Sequence, residues 1–296
     1  MKRKTMVFAA VGLAVSGISC SALAAEKTTS ALSGVLGNVW VTNRTLNNVT
    51  VFEAATGNVL ATIPTGRSSA DVSVSQQAGK AYVTNEVDNS VSVISLASRQ
   101  VLKTIPVGAI PHHIKVTRDG RRVYFGEFGT NRVGFIDTST DTFGDYVASA
   151  NPAALSHSPY PSRDGRTVYV ANEFGDEVVA LDAHTGQIQF SIKPGTRPSE
   201  ILATPDGRSL YISMRGENKV KQFDLRSRSI VREVAVGTQP DTLQLTPDGK
   251  TVVIGLRGQP AQVAFVDTGS FTLVSTVTIG GPETIAAHEW LSANGR

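Results

Sequence analysis

The sequence predicts an all-β chain folded as a β-propeller, and three observations lead to that fold class. An aromatic residue opens a short alternating strand at regular intervals along the chain. Asp-Gly or Asn-Gly pairs recur at one point of each interval. No stretch after residue 25 shows the period of a helix. Four short strands in each repeat of about 42 residues are typical of propeller blades, which bury their two faces against neighbouring blades.

The aromatic residue marks the second strand of each repeat. It recurs at steps of 42, 42, 45, 42 and 42 residues, at Trp40, Tyr82, Tyr124, Tyr169 and Tyr211, with Val253 in the sixth place. The second strands read VWVTN, AYVTN, VYFGE, VYVAN, LYISM and VVIGL. The third strands read VTVFE, VSVIS, VGFID, VVALD, VKQFD and VAFVD, and an outer strand such as VLKTIP follows each of them. Alternation with period two predicts half-buried strands throughout.

Tight turns join the innermost strand of each repeat to its second strand. They carry Asp119-Gly120, Asp164-Gly165, Asp206-Gly207 and Asn294-Gly295, where a residue must accept a positive φ. Residues 284–289 come one step before a second strand, so we expect them to form the innermost strand of the first blade, beside residues 38–65. This closure gives six blades. The alternative is a seven-bladed ring of which the chain is a truncated version.

Segments such as YVTNEVDNSVSVI and TPDGK resemble the YVTN-repeat family of secreted β-propellers, over roughly residues 37–296. The resemblance implies a seven-bladed ring more often than six. It also implies relatives of several kinds: surface or periplasmic proteins, domains likened to the haem d1 part of nitrite reductases, and lactonase-like enzymes. Fold alone therefore does not fix the function.

The first 25 residues have the pattern of a secretory signal peptide. Lys2, Arg3 and Lys4 precede a short apolar run, and Ala22-Leu23-Ala24 offers a cleavage site. We expect residues 1–25 to be the signal peptide, 26–36 a linker and 37–296 the propeller, in a periplasmic or secreted protein. Cys20 as a lipoprotein box is the alternative reading, although Gly17 stands where that box usually has a branched aliphatic residue. Without Cys20 the exported chain has no cysteine and no disulfide.

The charge balance argues against nucleic acid as a partner. The whole chain has 28 Lys and Arg against 25 Asp and Glu, but three of the bases lie in the signal peptide. The remainder is 25 against 25, which leaves no general basic surface. We expect a monomer without a transmembrane segment after signal removal, whose partner is an unidentified protein or small molecule of the cell envelope.

Polar residues concentrate in the loops of one face of the predicted ring, around the mouth of its axial channel. They come from the loops that enter the innermost strands and from those between second and third strands. A concave mouth with convergent polar groups is the default ligand site of this fold. The alternative is that a ring of mixed charge only solvates the channel. The candidate ligand-binding residues are Arg44, Arg67, Asp71, Glu86, His112, His113, Glu127, Glu173, Arg197, Glu200, Arg215, Asp241, Arg257 and Glu283.

The sequence alone gives only weak evidence that the histidines form a metal site. Because adjacent residues of a regular strand point to opposite faces, His112 and His113 are not expected to bind one ion together. One of them joined by Asp241 or Glu283 would form a mixed site for Zn²⁺ or another divalent metal. We expect His157 and His288 to be packed or hydrogen-bonded, and His184 lies in a turn of the far face. No metal and no cofactor is predicted.

Other chemistries leave little trace in the sequence. It has no CxxCH, no phosphate loop, no GxSxG and no GxGxxG that opens a helix. A stacking platform for single-stranded nucleic acid would need aromatic residues in the mouth loops, and Phe128 and Phe174 are the only candidates there. The main prediction is therefore a non-enzymatic binding module. The alternatives are a lactonase-like hydrolase with a His and carboxylate base, with or without a metal, and an accessory propeller for a d1-like haem or another redox cofactor.

Overall fold

The computed structural model describes residues 37–53, 56–246 and 248–278, together with the backbone of residues 288–290. The predicted signal peptide, the linker to residue 36 and the candidate Glu283 lie outside the described residues. No helix among the described residues has the length and apolar character needed to cross a membrane.

The described strands form six antiparallel sheets of four strands each, arranged as the blades of a ring. This confirms the predicted six-bladed β-propeller. The one helical segment in the described ranges is a 3₁₀ turn at Glu173–Gly175.

Blade 1 holds β1 (Asn38–Asn43), β2 (Asn48–Glu53), β3 (Val59–Pro64) and β24 (His288–Trp290). Blade 2 holds β4 (Ser69–Ser75), β5 (Lys80–Asn85), β6 (Ser90–Ser95) and β7 (Val101–Pro106). Blade 3 holds β8 (Pro111–Val116), β9 (Arg122–Glu127), β10 (Arg132–Asp137) and β11 (Thr142–Val147). Blade 4 holds β12 (Ser156–Pro161), β13 (Thr167–Asn172), β14 (Glu177–Asp182) and β15 (Ile188–Ile192). Blade 5 holds β16 (Pro198–Ala203), β17 (Ser209–Met214), β18 (Lys219–Asp224) and β19 (Ser229–Ala235). Blade 6 holds β20 (Pro240–Leu245), β21 (Thr251–Leu256), β22 (Gln262–Asp267) and β23 (Thr272–Thr278).

The two ends of the chain meet in blade 1. Strand β24 pairs antiparallel with β1, in a register that places Trp40 opposite Glu289 and Val41 opposite His288. The C-terminal segment therefore supplies the innermost strand of the first blade, as predicted. The described strand covers residues 288–290 and so overlaps the end of the predicted segment.

The aromatic repeat packs the blades against one another. Trp40 of blade 1 belongs to the same buried cluster as Val72 and Val83 of blade 2. Tyr82 of blade 2 is fully buried in a cluster with Ile114 of blade 3. Each such side chain leaves water only because a neighbouring sheet covers it, which is why the blades form a ring.

A β-bulge recurs near the start of the innermost strands β4, β8, β12, β16 and β20, each time as one extra residue opposite the second strand. In blade 2 the hydroxyl of Thr84, on the second strand, accepts a hydrogen bond from the Asp71 amide at 3.1 Å. The same hydroxyl donates to the His112 carbonyl of blade 3 at 2.7 Å. Ser213 makes the equivalent bonds to the Glu200 amide and the Asp241 carbonyl, at 2.8 and 3.1 Å. These hydroxyls satisfy backbone groups that the bulge leaves unpaired, and they join adjacent blades.

Candidate functional site at the axial mouth

Three histidine rings meet where the innermost strands of blades 3 and 4 begin. His112 and His113 lie on β8, and His157 lies on β12. The ring centroids are 4.5 Å apart for His112 and His113, 4.5 Å for His112 and His157, and 4.7 Å for His113 and His157. All three side chains are buried, with 7% or less of each residue exposed. We call these three residues the histidine cluster.

The bulge on β8 explains why two consecutive histidines face the same place. The pairing of β8 with β9 jumps from Pro111 opposite Glu127 to Ile114 opposite Phe125, so His112 and His113 together oppose the single residue Gly126. A bulge breaks the regular alternation of side chains between the two faces of a strand. The expectation that these histidines point to opposite faces is therefore wrong, since it assumes regular strand geometry.

The sequence predicts His157 to be a packed or hydrogen-bonded histidine and not a member of the site. It is packed and hydrogen-bonded, but its ring completes a triangle with the other two. A signal for this lies in the sequence. His157 follows His112 by 45 residues, the same step that separates Tyr124 from Tyr169, so both occupy the same position of adjacent repeats.

An oxygen atom outside the cluster lies beside one nitrogen of each imidazole. Nδ1 of His157 lies 2.9 Å from the Ser199 carbonyl, which only accepts, so this nitrogen carries the proton. Nδ1 of His113 lies 3.3 Å from Asp71 Oδ2, and Nε2 of His112 lies 3.3 Å from Glu86 Oε1. One nitrogen of each ring thus has an oxygen partner.

The opposite nitrogens of two rings have no partner. His112 Nδ1 and His113 Nε2 are both buried without a hydrogen bond. Nε2 of His157 faces Glu173 Oε2 at 3.7 Å, which is beyond hydrogen-bond distance. When its other nitrogen donates to an oxygen, a neutral imidazole keeps a lone pair on this second nitrogen.

Burial and neighbouring charge favour the neutral form of two rings, those of His112 and His157. Burial lowers the pKa of His112 well below its ordinary value, and the charges of His113, His157 and Arg44 act in the same direction. Burial also lowers the pKa of His157, with His113 and Arg215 contributing. Two members of the cluster are therefore uncharged bases at neutral pH, able to accept a proton or to ligate a metal.

Carboxylates and arginines form a network around the cluster. Glu86 pairs with Arg44, and its Oε2 accepts a hydrogen bond from Ser68 Oγ at 3.0 Å. Glu173 is fully buried and pairs with Arg197 at 2.6 Å and with Arg215 at 2.8 Å. Glu86 and Glu173 are thus each paired with at least one guanidinium, which offsets the cost of removing these carboxylates from water.

Asp241 is held by arginines and a serine. It pairs with Arg215, and it pairs with Arg257 at 2.5 Å. It also accepts a hydrogen bond from Ser199 Oγ at 2.7 Å. Its two oxygens are thus occupied, so the mixed metal site of one histidine with Asp241 is not formed in this arrangement.

Asp71 and Glu200 join successive innermost strands. Asp71 accepts a hydrogen bond from the Ile114 amide at 3.0 Å, and Glu200 accepts one from the Leu243 amide at 2.6 Å. Burial alone would raise the pKa of Asp71, but the hydrogen bond from His113 and the charge of Lys115 hold it below its ordinary value. Burial raises the pKa of Glu200, although Lys115, 3.7 Å away, opposes this. Lys115 is a charged residue of this region that the sequence reasoning missed.

Two predicted site residues lie apart from the network. Arg67 is an exposed rim residue that pairs with Asp88 at 2.5 Å. Glu127 is buried within blade 3, where its Oε2 accepts a hydrogen bond from Thr130 at 3.3 Å. Burial and the negative charge of Asp145 raise the pKa of this carboxyl. Neither side chain contacts the histidine cluster through a hydrogen bond or an ion pair in the described structure.

Two phenylalanines flank the cluster on its solvent side. The Phe128 ring lies 5.1 Å from the ring of His157 and 5.6 Å from that of His112. Phe174 contacts Phe128 at 6.0 Å and is 52% exposed. Phe128 thus packs as an apolar side chain over two of the histidine rings. This ring shields the cluster from water and so strengthens the electrostatic interactions beneath it.

The chain matches a protein-family model over more than half of its length. The family model described as "Lactonase, 7-bladed beta-propeller" matches residues 103–286, which include all three histidines of the cluster. The family description gives seven blades, whereas the described residues form six. No curated protein matches the chain in sequence.

Two solved structures illustrate the fold. Hydrazine synthase of Kuenenia stuttgartiensis is 19% identical, and the match covers 83% of this chain and 87% of that one, with a TM-score of 0.68. A protein of Bacteroides fragilis described as a candidate 6-phosphogluconolactonase is 18% identical, with coverages of 86% and 83% and a TM-score of 0.68. At these identities the likeness concerns the propeller fold.

Proposed function

Because the chain belongs to the lactonase family of seven-bladed β-propellers, we propose that it hydrolyses a lactone at the axial mouth, where the histidine cluster activates the attacking water. The observation that carries this proposal is the meeting of three buried imidazoles, two with unpartnered nitrogens, inside a ring of carboxylates and arginines. The family supports this activity better than the binding module predicted first from the sequence.

The reaction needs a nucleophile and a site for negative charge. Water adds to the ester carbonyl of the lactone, the bond from the carbonyl carbon to the ring oxygen breaks, and the ring oxygen takes up a proton to give a hydroxy acid. In this proposal an unpartnered nitrogen of His112 or His113 accepts the proton of the attacking water. Arg215 and Arg257 supply the positive charge that favours the developing oxyanion.

The mouth also favours an anionic substrate. Arg44, Arg197 and Arg257 have 46%, 40% and 36% of their side chains exposed, although each pairs with a carboxylate. A negatively charged group on the lactone would be attracted to this rim. We further propose that the chain is exported to the periplasm or out of the cell and that it works there as a monomer.

The test is hydrolysis of a lactone panel by the purified chain. The panel holds five- and six-membered rings with and without a phosphate group, and acid release is followed at constant pH. We expect the chain to open at least one of these lactones. We expect His112→Ala and His113→Ala each to lower kcat/KM by about 10²–10⁴-fold. His184→Ala, in an exposed turn of the far face, is the matched control and keeps the full rate. If no lactone opens above background, or if activity survives both cluster substitutions, the proposal is wrong.

A further inference from the structure

Packing alone gives no reason for the two unpartnered nitrogens of the cluster. His112 Nδ1 and His113 Nε2 are buried polar atoms without a hydrogen bond. A buried polar atom without a partner is destabilising, so native structures rarely keep two of them side by side. A bound group between the rings would remove both penalties.

We propose that His112, His113 and His157 together bind one divalent transition-metal ion. Each residue offers one ligand nitrogen, and the three ligand atoms lie within 4.8 Å of one another. A point equidistant from three atoms at that spacing is about 2.8 Å from each, whereas a Zn–N bond is about 2.0–2.1 Å. A movement of each ring by less than about 1 Å closes that difference.

The oxygens outside the cluster support this assignment. A histidine that ligates a metal almost always gives its other ring nitrogen to a carboxylate or a backbone carbonyl. Asp71 serves His113, Glu86 serves His112, and the Ser199 carbonyl serves His157. These partners fix the ring orientations and leave the remaining nitrogens directed away from them. Ordinary packing of three histidines would not require this arrangement on every ring.

The donor set indicates the class of metal. Three neutral imidazoles suit Zn²⁺, Co²⁺, Ni²⁺ or Cu²⁺ rather than Mg²⁺ or Ca²⁺, which prefer oxygen ligands. Three protein ligands leave a coordination position open for water, as in catalytic zinc sites. Such an ion would lower the pKa of that water and so supply the activation that hydrolysis needs.

The metal site stands on the geometry of the cluster and does not depend on lactone hydrolysis. Its test is therefore binding without any substrate. The purified full chain, freed of metal by a chelator, is titrated with Zn²⁺ in a calorimeter and with Co²⁺ in a spectrophotometer. We expect one equivalent of Zn²⁺ to bind and to raise the melting temperature, and Co²⁺ to show the visible bands of a low-coordinate nitrogen site.

Substitutions locate the ion. His113→Gln and His157→Gln abolish one-equivalent binding, and Asp71→Asn weakens it by about 10–100-fold, the effect expected of an outer partner. His184→Gln binds as the unchanged chain does. The melting temperature of each metal-free variant shows whether it folds, and a variant that does not fold is replaced by His112→Gln. Failure of the unchanged chain to bind one equivalent, or binding that survives the cluster substitutions, would overturn the metal site.

Discussion

Arg215 lies between two buried carboxylates of the mouth, those of Glu173 and Asp241. Its guanidinium contacts both Glu173 oxygens at 2.8 Å, pairs with Asp241 and donates to Ser199 Oγ at 3.0 Å. Burial lowers the pKa of Arg215 to about 10, with the charges of Glu173 opposing this shift, so the side chain stays charged at neutral pH. It is the positive centre that makes two buried carboxylates tolerable.

Arg215→Met should lower the free energy of unfolding by about 3 kcal/mol, because it leaves Glu173 and Asp241 with one arginine each in a buried place. Urea denaturation measures the change. The matched control is Arg226→Met, at an exposed position of the far face, where we expect a change within about 0.5 kcal/mol. Equal stability of the two variants would show that the network contributes nothing.

Glu127 occupies a position at which other blades carry an amide. Asn85 and Asn172 end the equivalent strands β5 and β13, and the Asn85 side chain accepts a hydrogen bond from the Gly66 amide at 3.1 Å. The buried carboxyl of Glu127 has instead a raised pKa, caused first by burial and then by Asp145. When the pH is below 4.5, the ordinary pKa of this carboxyl, Glu127 is protonated in both the folded and the unfolded chain.

Glu127→Gln should therefore make the chain more stable at pH 7 and remove part of the pH dependence of stability. As the pH rises above 4.5, the unfolded chain of the original protein loses this proton first, which favours unfolding. The difference in free energy of unfolding between the variant and the original protein should be largest at and above pH 7 and should vanish below pH 4.5. Urea midpoints from pH 4 to 8 measure it, and parallel curves for the two proteins would contradict the raised pKa.

At the scale of the element, the bulge of β8 and its neighbour Gly126 place the cluster. A Cβ at Gly126 would lie 2.3 Å from the carbonyl oxygen of His157 and 2.6 Å from that of Ser156. Other second strands carry Thr84 or Ser213 at this position. Glycine is required here because β12 approaches closely, and that approach brings His157 to the two histidines of β8.

Gly126→Ala should displace β12, lower stability by about 1–3 kcal/mol and separate His157 from the other two rings. The expected result is a lower unfolding midpoint together with loss of one-equivalent Zn²⁺ binding. Gly269→Ala, where the new Cβ meets only Asp267 Oδ1 at 3.4 Å, is the control. A Gly126→Ala chain with unchanged stability and unchanged binding would show that the close approach does not matter.

Elements were easier to predict from sequence than the directions of their side chains. The 42-residue step and the period of two suffice for the strands, because they follow from burial on both faces of a sheet. The shared direction of His112 and His113 could not be predicted, because a bulge is set by pairing with β9 and hydrogen bonding to the next blade. The apolar residues around His157 in the sequence favour a packed histidine. Its spacing of 45 residues from His112 nevertheless indicates that the two histidines occupy the same position in adjacent repeats.

At the scale of the whole molecule, stability depends on pairing between the two ends of the chain. Strand β24 pairs with β1, whose Trp40 is only 1% exposed. Six blades and this closure were predictable because residues 38–65 supply three strands of the first blade and residues 284–289 have the pattern of its missing innermost strand. The arrangement of charges around the axis was not, because it depends on contacts among residues of different blades.

A chain that ends at residue 287 lacks β24 and should melt at least about 5 °C below the full chain, since an open sheet edge and new apolar surface are exposed. A chain that ends at residue 290 keeps β24 and is the matched control, with a melting temperature close to that of the full chain. Calorimetry measures both transitions. Equal melting temperatures would mean that the pairing of β24 with β1 does not stabilise the ring.

The central claim is that imidazoles from two neighbouring blades act as one site, and His157→Gln tests it most directly. Glutamine can still donate a hydrogen bond to the Ser199 carbonyl, so the fold should be kept while the third ring is lost. The measurement is kcat/KM of this variant on a lactone that the unchanged chain opens. We predict a loss of at least about 100-fold with little change in melting temperature. A folded variant that keeps the full rate would contradict the account.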